Sequence, residues 1–433
     1  MLLFTAGAAV FTGLLFGLVP AWNAFSSAQI STLREGGTVG ERRSRRLLGR
    51  GLVVAQVALS VVMLSAAGLL VTHLSNLRNL NLGFDRESVL LVTLDANRSG
   101  YERLQLSGLY RDLLGRLEAI PGVRAATMSG MTPISGAGGS RFVNVDGVPE
   151  RFEVRRRVSL NPVAPHYFTT YGTRLITGRD FAFEDAGRPP VAIVNQAMAR
   201  YYFGTSDPVG RWFTFDDQTR SYEIVGVVAD AKYLDLYETP PRTVYLNALQ
   251  GGSGGTSQFA LRTDVTPASV VADVRRAVNQ VVPNVSVGKV TTLTEQVDAS
   301  IVVERLIALL STAFGAAGAL LAAIGLYGLL AFTVSRRTTE IGVRMALGAT
   351  KGQITSMVLT SAFGLVVAGL AIGAPLAIVS PRFLARLVQS LTVQPPVPLV
   401  VAALVMIAVG LAAAYLPARR ASRVQPIEAL RQT

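Results

Sequence analysis

Residues 335–354 read SRRTTEIGVRMALGATKGQI and stand between two apolar runs, Leu306–Val334 and Ile354–Val379. Each run is long enough to cross a bilayer, which takes about 20 apolar residues at a rise of 1.5 Å each. The segment between them carries Arg336, Arg337, Arg344 and Lys351 against Glu340. A basic stretch between two spans reads as a cytoplasmic loop. It also predicts a short helix: Thr338 or Thr339 can cap it, Glu340 sits near its positive end, and Gly348 can end it. Thr350 and Gln353 then form a capping box for the next membrane helix. Ile341 and Met345 fall on one face of the short helix, Val343 and Leu347 on another. Such a helix is either a solvated or lipid-facing connector or a docking element for a cytoplasmic partner, and its residues alone leave both open.

The same charge logic extends outward. The chain has 433 residues, is 50% hydrophobic and only 16% charged, and carries a formal net charge of +13. Soluble domains hold about 25% charge, so the composition argues against a wholly soluble, disordered or coiled-coil protein. Further apolar runs lie at Leu2–Val19, Leu52–Val71 and Pro398–Leu416. From Thr72 to Glu304 there are 24 Lys and Arg and 24 Asp and Glu, so this region is neutral. The excess concentrates in three short stretches: +4 at 20–50, +3 at 335–353 and +3 from Pro417 onward. With these inside, one topology satisfies every stretch: 1–19 a membrane helix, 20–51 a cytoplasmic basic linker, 52–71 a second helix, 72–304 an external domain, and 305–433 a membrane region with helices 306–334, 354–379 and 398–416 and a cytoplasmic C-terminus. The run from 306 exceeds the bilayer requirement, and the surplus is expected to project as a stalk. The neutral external region offers no basic footprint for nucleic acid.

The opening MLLFTAGAAVFTGLLFGLVPAWNAFSSA also has a signal-peptide reading. Against it, no basic residue precedes the apolar run, and cleavage would strand the Arg-rich segment 42–50 outside. A repeat favours a retained helix: GLLFGLVPAWNAFSSAQISTLR from Gly13 aligns without gaps on GLAAAYLPARRASRVQPIEALR from Gly410. The expectation is that 1–19 is the last helix of a preceding copy, the sequence being the C-terminal part of a longer, duplicated protein.

The external region reads as mixed α/β. Ser88–Asp95 and Val123–Met128 are strands flanking a helical periodicity over Tyr101–Ile120. Gln258–Thr263 and Val285–Val290 flank a helix from Pro267 to Val281, giving a second β-α-β unit. Between the units lies a β-rich insertion with strand runs FVNVDG, PVAIVN, WFTF, YEIVGVV and TVYL. Gly-rich loops at 135–140 and 251–257 are expected to act as hinges.

Chemistry-bearing motifs are missing from the sequence. It has no phosphate loop, no H-E-x-x-H and no G-x-S-x-G nucleophile elbow, and no G-x-G-x-x-G follows a strand. It also has no Cys. Asp216-Asp217 reads as a hairpin turn rather than an acid pair, since neighbours on a strand face opposite ways. His166 reads as a packed or surface imidazole, because a metal needs three or four converging donors. No catalytic residue, cofactor or metal site is expected, and ATP hydrolysis would need a partner. Glycines at 13/17, 369/373, 315/318 and 325/328 either allow close helix packing or reflect ordinary membrane-helix composition.

The pattern R-R-x-x-E-I-G-V-R-M-A-L-G-A over 336–349 resembles the FtsX-like permeases of the MacB type, and within them the duplicated permeases of acidobacteria. VAIVNQAMARYYFGTSDPVGRWF, YEIVGVVADAKYLDL and LPARRASRVQPIEALR share the resemblance, which extends over nearly the whole chain. It implies a transmembrane helical bundle with a mixed α/β extracytoplasmic domain; the compartment follows from the topology, the inner membrane if the source is a two-membrane bacterium. It implies a separate cytoplasmic ABC ATPase subunit closing on the 338–349 helix, with Glu340, Ile341, Gly342, Arg344, Met345, Gly348 and Ala349 as the contact. It further implies a second permease half, as a dimer or a preceding repeat, and a periplasmic adaptor as a possible partner, in contact with membrane lipid. An extra first helix and a single full half depart from the family pattern. The function implied is an ABC permease for efflux or envelope export. Alternatives are a non-transporting regulator of a periplasmic envelope enzyme and, resting on the α/β domain alone, a membrane-anchored enzyme.

Overall fold

Apolar length selects helix along some of this chain, and strand alternation selects sheet along the rest. The computed structural model describes residues 39–95, 101–145, 157–204, 207–251, 256–384 and 396–423. The expected helix at 1–19, its signal-peptide alternative, the first copy of the repeat and most of the second Gly-rich loop lie outside the described residues. The described residues divide into a helical unit (39–66, 313–380, 396–423) and a globular unit (within 67–312, with 381–384).

In chain order, α1 (Val39–Arg78) is followed by β1 (Val89–Asp95), α2 (Arg103–Glu118) and β2 (Val123–Ser129). Then come β3 (Gly139–Asn144), β4 (Arg157–Val163), α3 (Tyr167–Tyr171), β5 (Leu175–Gly178), β6 (Val191–Asn195) and α4 (Gln196–Phe203). Next are β7 (Trp212–Phe215), β8 (Ser221–Val228), β9 (Thr243–Asn247) and α5 (Ala248–Gly251). The globular unit ends with β10 (Thr256–Thr263), α6 (Val271–Val281), β11 (Ser286–Thr292) and α7 (Leu293–Ser300). The last helices are α8 (Val302–Arg336), α9 (Thr338–Ala346), α10 (Lys351–Leu384) and α11 (Pro396–Ala421).

The two β-α-β units are present and interleave. Their strands run β11-β1-β10-β2, each antiparallel to its neighbour, so β10 separates β1 from β2 and β1 separates β11 from β10. This is the split β-α-β arrangement, which lets both helices cover one face. Along β1, Leu90, Val92 and Leu94 pack with Tyr110, Leu113 and Val278 from α2 and α6. The alternate residues Val89 and Leu91 pack with Phe168, Leu293 and Val297. Burial on both faces is why β1 reads as a continuous apolar run.

The β-rich insertion closes on itself. Its strands follow the order β4-β3-β7-β8-β6-β9, and β9 pairs back to β4 in parallel from Ser159↔Thr243 to Val163↔Asn247. The resulting six-stranded barrel holds Val143, Val158, Val194, Phe213, Phe215, Ile224 and Val244 in its core, with Met198 and Tyr202 of α4. Closure pairs the two end strands of this order, so neither β4 nor β9 is left as a free edge strand. Asn195 caps α4 by accepting the Met198 amide at 3.1 Å and donates to Asp230 at 2.8 Å, so the two quoted runs VAIVNQ and VVADAK meet here. The loop at 135–140 is not a free hinge. Its Gly136 N–H donates to Leu234 O at 3.2 Å, and Gly139 already begins β3.

The four apolar runs within the described residues each form a helix longer than the run itself. α1 begins at Val39, so the basic stretch 42–50 is helical and continuous with the span. α11 continues past Pro417 to Ala421, although Pro417 has no N–H to donate to the carbonyl of Ala413. Val53, Val57 and Val61 of α1 meet Ala319, Ala322 and Leu326 of α8, Val366 of α10 and Met406 of α11 in one apolar cluster.

Candidate functional site

The charged segment between α8 and α10 folds as the expected short helix, α9. Its start differs from expectation. Arg337 occupies the cap position without a side-chain cap, because the Thr338 hydroxyl donates back to Ser335 O at 2.8 Å and Val334 O at 3.3 Å. That adds a donor to carbonyls at the end of α8, of which Val334 O also accepts the Arg337 amide at 3.1 Å. The end of α9 follows the expected logic. Gly348 takes φ +98°, a conformation costly for residues with a Cβ, and its N–H reaches Met345 O at 3.1 Å. Thr350 and Gln353 form the capping box, Thr350 N–H to Gln353 Oε1 at 2.9 Å and Gln353 N–H to Thr350 Oγ at 3.4 Å.

Helical geometry sorts the expected contact residues into two sets. Ile341, 2% exposed, enters a cluster with Leu330 of α8, Ile354 and Val358 of α10, and Ala414 and Ala418 of α11, against which Met345 and Ala349 also pack. Gly342 is buried as well. These residues fasten α9 to the bundle. Glu340, Arg344 and Gly348 are exposed. Arg344 Nη2 donates to Glu340 Oε1 at 3.0 Å one turn away, and its other nitrogen approaches Met357 Sδ at 3.0 Å. An exposed pair of this kind adds only about 0.3–0.5 kcal/mol, so it orients side chains more than it stabilises. Beside it stand Val343, 40% exposed, and Leu347, 82% exposed. Leu347 is the most exposed large apolar side chain among the described residues. The resemblance did not place these two in the contact set, although their i, i+4 spacing on the face away from Ile341 and Met345 was legible.

Close glycine contacts support the bundle beneath α9. A Cβ at Gly373 of α10 would lie 2.7 Å from Ala58 O, and one at Gly369 would lie 2.5 Å from Val57 Cγ1 and 3.1 Å from Val54 O. Gly315, Gly318 and Gly325 of α8 face Leu64, Ser60 and Gln56 of α1. A Cβ at Gly328 would meet nothing within 4 Å, so that glycine makes no close contact, and Gly13/Gly17 lie outside the described residues.

The globular unit brings no reactive constellation together among the described residues. Asp216 and Asp217 follow β7 in the turn to β8, where Gln218 N–H donates to Phe215 O at 3.0 Å, and Asp217 lies 3.8 Å from Arg141. His166 holds φ +65° and places Nδ1 2.6 Å from Glu118 Oε1, with Phe183 edge-on to its ring. No group of three or more His, Asp or Glu among the described residues could hold a metal ion. An open groove of about 570 Å³ is lined by Arg179, Asp185, Arg188, Glu223 and their neighbours. Burial pushes the Asp185 carboxyl up, but Arg179 donating at 2.8 and 2.9 Å, with the Ala182 amide, more than offsets this and holds it below the usual carboxylate range. The pair is satisfied and structural.

Comparison with known proteins agrees with this division. Residues 51–303, more than half of the chain, match the MacB-like periplasmic core domain, and residues 312–426 match the FtsX-like permease C-terminal domain. The macrolide export ATP-binding/permease protein MacB of Rhodospirillum rubrum is 27% identical over 363 residues, covering 75% of this chain and 54% of that protein. An uncharacterized ABC transporter permease of Bacillus subtilis, YknZ, is 28% identical over 289 residues, covering 63% of this chain and 70% of that one. The crystal structure of the periplasmic region of MacB from Actinobacillus actinomycetemcomitans aligns with a TM-score of 0.33 and 15% identity, covering 49% of this chain and 92% of that one. The chain spans about half the length of the MacB relatives it matches. With its globular unit matched by one model and its later helices by the other, the chain belongs to the MacB-type ABC permeases, a MacB-like core domain carried on an FtsX-like membrane region.

Proposed function

We propose that this chain is the mechanical half of an ABC export system in the inner membrane, and that a separate cytoplasmic ATPase drives it through α9. The observation that carries this reading is the two-sidedness of α9. Its inward residues Ile341 and Met345 join it to α8, α10 and α11, while Glu340, Val343, Arg344 and Leu347 are exposed on its other side. A surface-exposed apolar pair flanked by opposite charges suits a protein partner. ATP binding by the partner would press on this face. Helices α1 and α8, each running unbroken between the helical and globular units, would carry the movement outward. The basic segments then lie in the cytoplasm with the C-terminus. A second permease half completes the assembly, and the cargo leaves by way of the globular unit, with a periplasmic adaptor as a further partner.

The test is ATPase stimulation when the chain is reconstituted in nanodiscs with the ATPase that co-purifies with it. Glu340→Lys combined with Arg344→Glu preserves an ion pair within α9 but reverses the pattern shown to a partner. Stimulation is expected to fall severalfold. Stimulation equal to wild type would show that the docking surface lies elsewhere.

A further inference from the structure

We propose that His73, Glu304 and Tyr237 form a proton-binding site where α1 and α8 enter the globular unit, and that a proton held there ties the two helix ends together. The apolar spans end at Val71 and begin again at Leu306, so His73 and Glu304 stand just beyond them. Leu69, Leu70 and Ala308 pack together beside them, with Leu74 against this cluster. His73 is 6% exposed, and its Nε2 is buried without a hydrogen-bond partner. Glu304 Oε2 is likewise buried and unpartnered; burial holds the proton affinity of the His73 ring below its ordinary value, and the nearby Glu304 charge partly offsets this. The other carboxylate oxygen accepts the Tyr237 hydroxyl. Burial, followed by the bond to Glu304, pushes that phenol well above its ordinary value, so it remains a donor.

Two elements therefore meet at one carboxylate, α8 through Glu304 and the β8–β9 loop through Tyr237, while His73 of α1 stands near enough to feel its charge without forming an ion pair with it. Asp235 fixes that loop by accepting the Tyr237 and Glu238 amides at 2.7 and 2.8 Å, and it faces Tyr237 electrostatically. The neighbouring cations Arg78 and Arg305 are exposed. A neutral imidazole has one donor and one acceptor nitrogen. Taking one proton from the outer solution makes both nitrogens donors and places a positive ring beside the carboxylate. The charged ring and the carboxylate then attract each other across the gap between them, and nothing leaves the site. As pH rises the proton is lost, and the helix ends are freed to part. The functional consequence rests on α1 and α8 carrying motion, whereas the site itself does not.

The chain has two histidines and no cysteine, which makes the test direct. In full-length chain carrying His166→Gln, in nanodiscs, ring NMR of labelled histidine reports His73 alone. Its ring is expected to titrate, and Glu304→Gln is expected to lower its proton affinity about tenfold or more. Tyr237→Phe keeps the packing but removes the competing donor, and should move the affinity upward. Spin labels at Val71→Cys and Val303→Cys, both exposed positions, should give a narrower distance distribution at pH 5 than at pH 8, a response lost in His73→Gln. A titration unmoved by either carboxylate-site variant, or a pH response surviving His73→Gln, would overturn the proposal. Neither measurement contains an ATPase, so failure here leaves the α9 assignment untouched.

Discussion

Replacing Leu347 with Asp is expected to reduce ATPase stimulation about tenfold to a hundredfold, while the chain still inserts and purifies normally. Leu347 is 82% exposed and touches no core, so the substitution costs the isolated chain almost nothing. Against a bound partner the balance changes. Burying a Leu side chain is worth about 1.5–3 kcal/mol, and a carboxylate in its place adds a desolvation penalty. Each 1.4 kcal/mol is about a factor of ten in affinity. Leu347→Ala should fall between wild type and Leu347→Asp. Met345→Ala should behave differently, loosening α9 and lowering thermal stability, because Met345 packs against the Ile341 cluster. Titrating the ATPase against each variant separates a weakened docking step from a damaged bundle.

Gly373→Leu is expected to abolish the native helical bundle, and Gly373→Ala to destabilise it by about 1–3 kcal/mol. The first atoms that a Cβ would meet are Ala58 O at 2.7 Å and Ala58 Cα at 3.0 Å. Both are backbone, so no rotamer change relieves the clash and α1 must move away from α10. The control is Gly328→Ala. Its Cβ would meet nothing within 4 Å, and the alanine brings better helix propensity. Thermal aggregation in detergent should fall to lower temperature for Gly373→Ala and stay level or rise for Gly328→Ala. Equal behaviour of the two would mean that the glycines reflect composition rather than contact.

The sequence made the helices and the interleaved β-α-β units legible because their periodicity is strong. β1, α2, β2, β10, α6 and β11 lie within a few residues of the expected runs. β4 escaped because RVSLNPV breaks its alternation with Asn161 and Pro162, residues disfavoured in strands. Asn161 is tolerated because it is fully buried and bonded to Met131 O at 3.0 Å and to Tyr167 Oη at 3.4 Å. Barrel closure escaped for a different reason. The β4–β9 pairing joins residues some 84 positions apart, and no local pattern records it. At α9 the residues and the helix were legible, but which of them faced the bundle depended on the contacts of α10 and α11. The proximity of His73 and Glu304 was invisible for the same reason, the two lying at opposite ends of the globular unit's sequence.

The absence of cysteine permits the most direct measurement of the central claim, that the outward face of α9 receives a cytoplasmic ATPase. Single cysteines at 343, 345 and 347, each carrying a short photo-cross-linker, are placed in the full chain in inverted membrane vesicles with the ATPase bound. Positions 343 and 347 should cross-link to the ATPase and gain yield with ATP, while 345, turned into the bundle, should not. Cross-linking at 345 but not at 347, or labelling of 347 only from the opposite side of the membrane, would contradict the account.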